Sequence, residues 1–172
     1  MSRRRWGGGP VLGVAALLLG CCTAPECLPE SIPHRGLGRT LEEQFQVVQY
    51  LALHDCCDQL HGNLSAHTRE EHGQTKFCLF WESIEVPGYG YTLPEVIRGG
   101  TFVAGVEGPA PGESFVYVEY EPPGGKNLLA RILIVEEPDE EDPRPRLRVA
   151  LQEQYERIEA QDGRYWWDAG GP

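Results

Sequence analysis

Apolar positions first recur at helical spacing and then, past the middle of the chain, alternate or cluster as they do in strands. Leu41, Phe45, Val48, Leu51 and Leu60 fall near a 3.6-residue period, which predicts a helix from about Leu41 to Leu60. Thr40 and Glu43 form a capping box at its start, and Gly62-Asn63 stops it. Ser65 opens a second helical stretch through Thr68-Arg69-Glu70-Glu71, its hydroxyl placed to accept an orphan amide hydrogen, and Gly73 interrupts it. Phe77, Phe80, Trp81 and Ile84 then repeat as one amphipathic face.

After Pro87 the period changes. Gly88 to Pro94 reads as a loop rich in Gly and Tyr, and Val96 to Val106 as strand-like around Phe102 and Val103. Ser114 to Tyr120 alternates cleanly, with Phe115, Tyr117 and Glu119 on one face and Val116, Val118 and Tyr120 on the other. Pro122-Pro123-Gly124-Gly125 is a turn, Asn127 to Glu136 an apolar strand, and Glu136 to Pro145 an acidic, solvated excursion. Arg146 to Leu151 starts a further strand, and Asp162-Gly163 predicts a hairpin into Tyr165-Trp166-Trp167. Leu151, Gln154, Tyr155 and Ile158 also fit a helix, but the hairpin signal favours a strand. Helices followed by antiparallel strands make the expected class α+β.

The N-terminal pattern is different in kind. Arg3, Arg4 and Arg5 precede a short apolar run from Val11 to Leu19, well below the roughly 20 residues that span a bilayer. Length and flanks make residues 1–20 a signal peptide. The run ends Leu18-Leu19-Gly20-Cys21, which resembles the lipobox of bacterial lipoproteins, with Leu19 larger than usual for its position. The resemblance implies cleavage before Cys21 and a diacylglycerol on its thiol, which is anchoring enough where a single acyl chain is marginal. An ordinary secretion signal cut elsewhere is the alternative. A Cys at position 22, rather than Asp, implies the outer membrane in a Gram-negative host. Residues 21–38 carry Pro25, Pro29, Pro33, Gly36 and Gly38 without apolar period and read as a flexible tether.

Charge narrows the partners. The chain carries −11, and loss of the leader with its three arginines makes that −14. Such a body repels phosphate backbones, which argues against nucleic acid. Export permits disulfides among Cys22, Cys27, Cys56, Cys57 and Cys78. Cys56 and Cys57 point about 100° apart on a helix and should not bond each other. Either one of them reaches Cys78 across packed helices, or all three are small buried apolar residues. No Cys-x-x-Cys pair marks a redox enzyme.

The segment Leu64-Ser65-Ala66-His67-Thr68-Arg69-Glu70-Glu71, followed by Phe77 and Trp81, resembles the second and third helices of NTF2-like (SnoaL-type) domains. The terminal Asp162-Gly163-Arg164-Tyr165-Trp166-Trp167 resembles that family's last hairpin. The resemblance covers residues 39–168 and leaves 169–172 as a tail. It implies a cone, a curved antiparallel sheet over a long helix with a pocket at the wide end. Members range from isomerases to binding modules, so the fold does not supply a function. A cystatin-like roll is the runner-up fold.

Chemistry-bearing residues concentrate at His54, Asp55, Cys57, Asp58 and His61. On one continuous helix several of these share a face, as zinc ligands or an acid/base pair would. The plainer readings are a solvated His54–Asp58 pair and a His61 favoured by the helix dipole, and no metal or cofactor is expected. Ser65 with His61 and Asp58 suggests a triad, but Ser65 is better explained as a cap. Trp81, Tyr89, Tyr91, Trp166 and Trp167 could line a cone mouth and hold a small apolar ligand, or simply pack. The expectation is a lipid-anchored envelope protein with a non-catalytic binding or interaction domain. The alternative is an isomerase- or dehydratase-like enzyme using an Asp/His pair in the pocket.

Overall fold

The computed structural model describes Cys27 and residues 40–86, 89–139 and 143–153. Residues 1–20, read as a signal peptide, Cys21, Cys22, most of the stretch read as a tether, and the expected hairpin with Trp166 and Trp167 lie outside those residues. The class is α+β.

Helix α1 spans Leu41–Leu53, with Thr40 and Glu43 closing the capping box. It buries Phe45, Val48, Leu51 and Ala52. The helix does not run on to Leu60. It breaks at 54–56, and α2 is a separate element, Cys57–Gly62. Helix α3, Ala66–Glu71, begins at the Ser65 cap, and α4, Gln74–Phe80, passes into a 3-10 turn at Trp81–Ser83. A short hairpin pairs β1, Glu85–Val86, with β2, Tyr91–Thr92.

The stretch read as a strand from Val96 is instead helix α5, Leu93–Gly99. Thr92 and Glu95 form a second capping box, and Pro94 lies in the first turn. These local signals outweigh the β-branched Val96 and Ile97, which both go into the core. Gly100 then lets the chain turn hard against the sheet. A Cβ there would meet the Val118 side chain at 2.3 Å and the Val96 carbonyl at 2.4 Å. Gln49 on α1 donates to the carbonyls of Ile97 and Gly100, satisfying the end of α5.

The main sheet is antiparallel in the order β3-β4-β5-β6. Its strands are Thr101–Glu107, Glu113–Tyr120, Leu128–Glu137 and Arg146–Val149. Pairing sets Val116 opposite Ile132 and Val118 opposite Ala130. All four side chains are buried, on the face the alternation picks out. Each fully buried Val or Ile contributes about 1.5–3 kcal/mol. β3 is an edge strand with a register shift between Phe102 and Ala104.

β6 stops at Val149, short of the expected strand. Its backbone is taken by α2 and α3: the Val149 amide donates to the Asn63 carbonyl, and its own carbonyl accepts from the Ser65 amide. Residues 151–153 are helical, as the alternative period suggests. The buried Thr68 hydroxyl anchors that turn, accepting from the Gln152 amide at 3.0 Å and the Ser65 hydroxyl at 2.9 Å. Burial, with Arg69 and Arg146 nearby, pushes the Arg148 guanidinium down to about 10, and it donates to the Gly62 carbonyl. Among the described residues, no helix is long and apolar enough to cross a membrane.

Candidate functional site

The residues singled out for chemistry meet a corner, not a continuous helix face. Helix α1 ends at His54, Asp55 takes a left-handed conformation (φ 54°), and the Cys56 amide reaches back to the Leu51 carbonyl at 2.9 Å. This is a Schellman-type stop with Asp where Gly is usual, a substitution that Asp tolerates better than most residues. The carbonyl of Ala52 accepts instead from Arg98 Nε at 2.7 Å.

Arg98 organises this corner from α5. Its fork meets Glu82 through two bonds, at 2.9 and 2.5 Å, and Asp55 at 2.9 Å. Hydrogen bonding to the Glu82 carboxylate holds the Arg98 pKa above its ordinary value, against the desolvation that would lower it. Asp55 is therefore engaged as a counter-ion, and its side chain is 76% exposed. Neither its location nor its partner suits a general base, which works in an enclosed setting.

Two disulfides flank the break. Cys27 bonds Cys56, and Cys57 bonds Cys78, with Cα–Cα separations of 5.5 and 5.6 Å. The adjacent cysteines thus face different partners. The Cys57–Cys78 bond realises the option left open by the sequence, while Cys56–Cys27 fastens a residue from within the tether stretch. The Asp58 carboxylate lies 3.7 Å from the Cys78 sulfur. A disulfide sulfur carries no proton, so this is a contact rather than a hydrogen bond.

The remaining candidates separate. The His54 ring rests on Tyr50, with centroids 4.3 Å apart. His61 Nε2 donates to the His72 carbonyl at 2.8 Å, and its ring packs on Phe77. The shared face expected for His54, Cys57, Asp58 and His61 is lost because the helix breaks between the first and second of them. Cys57 is also spent in a disulfide. Among the described residues, no group of three or more His, Cys, Asp or Glu could hold a metal. Ser65 serves as the α3 cap.

Among the described residues, Trp81, Tyr89 and Tyr91 do not line one mouth. Trp81 is buried against Phe77, 5.3 Å between centroids. The Tyr91 hydroxyl accepts from the Lys126 amide at 3.0 Å, and its ring meets Tyr120 edge-on. Gly125 is required beneath it, since a Cβ there would lie 2.0 Å from that hydroxyl. Tyr89 is half-buried against the core.

Space is distributed accordingly. The interior between α1 and the sheet holds a cavity of about 10 Å³, lined by apolar side chains including Phe45, Leu64, Trp81 and Ile132. That is about the room a single water takes, and the lining offers it no polar partner. An open cleft of about 480 Å³ lies at the corner, between both disulfides, Trp81, Glu82 and Arg98. A second of about 480 Å³ runs past His72, Phe80, Ile84 and Leu151. His72 Nε2 donates there to Gln152 Oε1 at 3.2 Å. Glu82, Arg98 and His72 join these clefts with no local spacing in the sequence to mark them. No family model, curated protein or solved structure matches this chain.

Proposed function

We propose that the chain is a lipid-anchored cell-envelope protein whose body is a non-catalytic binding or interaction domain of NTF2-like architecture. The observation that carries this reading is the order Arg3-Arg4-Arg5, apolar run, Leu18-Leu19-Gly20-Cys21. Two disulfides support export, because such bonds persist in oxidising compartments. Diacylglycerol on Cys21 provides the membrane contact, at the outer membrane in a Gram-negative host. The partner is a small apolar ligand or another envelope protein.

The NTF2-like part of the reading draws on element order. A long first helix, three short helices, a small hairpin and one more helix precede a four-stranded antiparallel sheet. The filled interior favours an interaction surface over a deep ligand pocket. An isomerase-like Asp/His pair finds no support, since Asp55 and Asp58 both face solvent. Mass spectrometry of the mature N-terminus tests the anchor. A thioether-linked diacylglycerol on Cys21 is expected, and an unmodified Cys21 behind an intact leader refutes it.

A further inference from the structure

Resting on the anchor reading, we infer that the Cys27–Cys56 disulfide makes the α1–α2 corner the membrane-facing surface of the domain. Cys27 follows Cys21 by only six residues. Fully extended, that stretch spans about 20 Å, and the disulfide adds 5.5 Å between Cα atoms, so Cys56 cannot stray beyond their sum from the acylated residue. Without the bond, the leash runs from Cys21 to Thr40, nineteen residues, and reaches about 65 Å. The domain could then roll freely.

The surface presented at the corner suits a bilayer. Leu79 and Leu53, 83% and 56% exposed, are the two most exposed large hydrophobic residues among those described. Leu79 adjoins Cys78, and Leu53 lies three residues before Cys56. Acidic repulsion is blunted there, because Arg98 engages both Asp55 and Glu82. The opposite end of α1 lies about 20 Å away along its thirteen residues, where Leu41 packs over Gly105 of β3. The β3–β4 turn beyond it faces away from the membrane.

The test uses the full-length lipidated protein in phosphatidylethanolamine/phosphatidylglycerol vesicles that contain an acceptor-labelled lipid. A donor fluorophore on an unnatural side chain replaces Asp58 at the corner or, in a second preparation, Pro111 in the β3–β4 turn. Transfer from position 58 should exceed that from position 111. The difference should vanish in the Cys27→Ser/Cys56→Ser variant. Inserting about twelve Gly/Ser residues between Ala24 and Pro25 lengthens the leash with the disulfide intact and should abolish it equally. Replacing Leu53 and Leu79 by Asn should reduce transfer from position 58. Equal transfer from both positions in the lipidated parent overturns this inference alone, as does a difference that survives the insertion. A chain whose mass shows no diacylglycerol overturns the anchor, and the inference with it.

Discussion

The sheet and the α1–α2 corner are held by opposite means. Between β4 and β5, eight residue pairs stay in register and their inward side chains are almost wholly apolar. That half depends on burial, which is non-directional and tolerant of detail. At the corner, two disulfides and one arginine fork fix a short helix that buries a single residue, Leu60. A region with so little to bury is shaped by bonds of defined geometry, and it takes its shape from residues far away in the sequence.

This contrast can be broken from either side. The largest effect is expected from Ile132→Ala in the sheet, a loss of about 2–5 kcal/mol read from the urea midpoint. A loss well under 1 kcal/mol would show that burial is not what holds the sheet. Opening the Cys57–Cys78 loop with a paired Cys57→Ser/Cys78→Ser change should cost about 3 kcal/mol. Hydrogen exchange should then rise at Leu60 while Val116 and Val118 keep their protection. Uniform loss of protection across both regions would contradict the division. Arg98→Ala should cost about 1 kcal/mol, because Asp55 and Glu82 are 76% and 57% exposed and their pairing is screened. Arg98→Lys should recover only part of that, since an ammonium cannot serve Glu82, Asp55 and Ala52 together.

The smallest effect is a pH slope. Burial raises the Tyr120 pKa above its ordinary value, assisted by the nearby Glu95 carboxylate. The folded state then holds the phenol proton more tightly than the unfolded chain. Its contribution is complete below about pH 10 and is lost as pH climbs from there through the folded value. Tyr120→Phe should flatten that decline in a series of melts above pH 9, and an unchanged slope would remove Tyr120 as its source.

What the sequence disclosed follows the same division. Thr40, Ser65 and the alternation at 114–120 act on neighbours within a few residues, so their consequences were readable. Thr92 and Glu95 carried an equally local signal, masked by the β-branched residues that follow. The break at Asp55 was not readable. Nothing in His54-Asp55-Cys56 resembles a helix stop, and the geometry is completed by Arg98, forty-three residues on. Cys27 offered no spacing clue to its partner, twenty-nine residues away. His54, Cys57, Asp58 and His61 do not share a face because that expectation assumed one unbroken helix.

Thr68 and Ser65 tie the end of the described chain back to its first half. Their bonds to Gln152 and Val149 span more than eighty residues, so α3 depends on β6 and the turn after it for its closing partners. A chain truncated before Val149 would therefore lose both contacts at once, and α3 would be left with an open end.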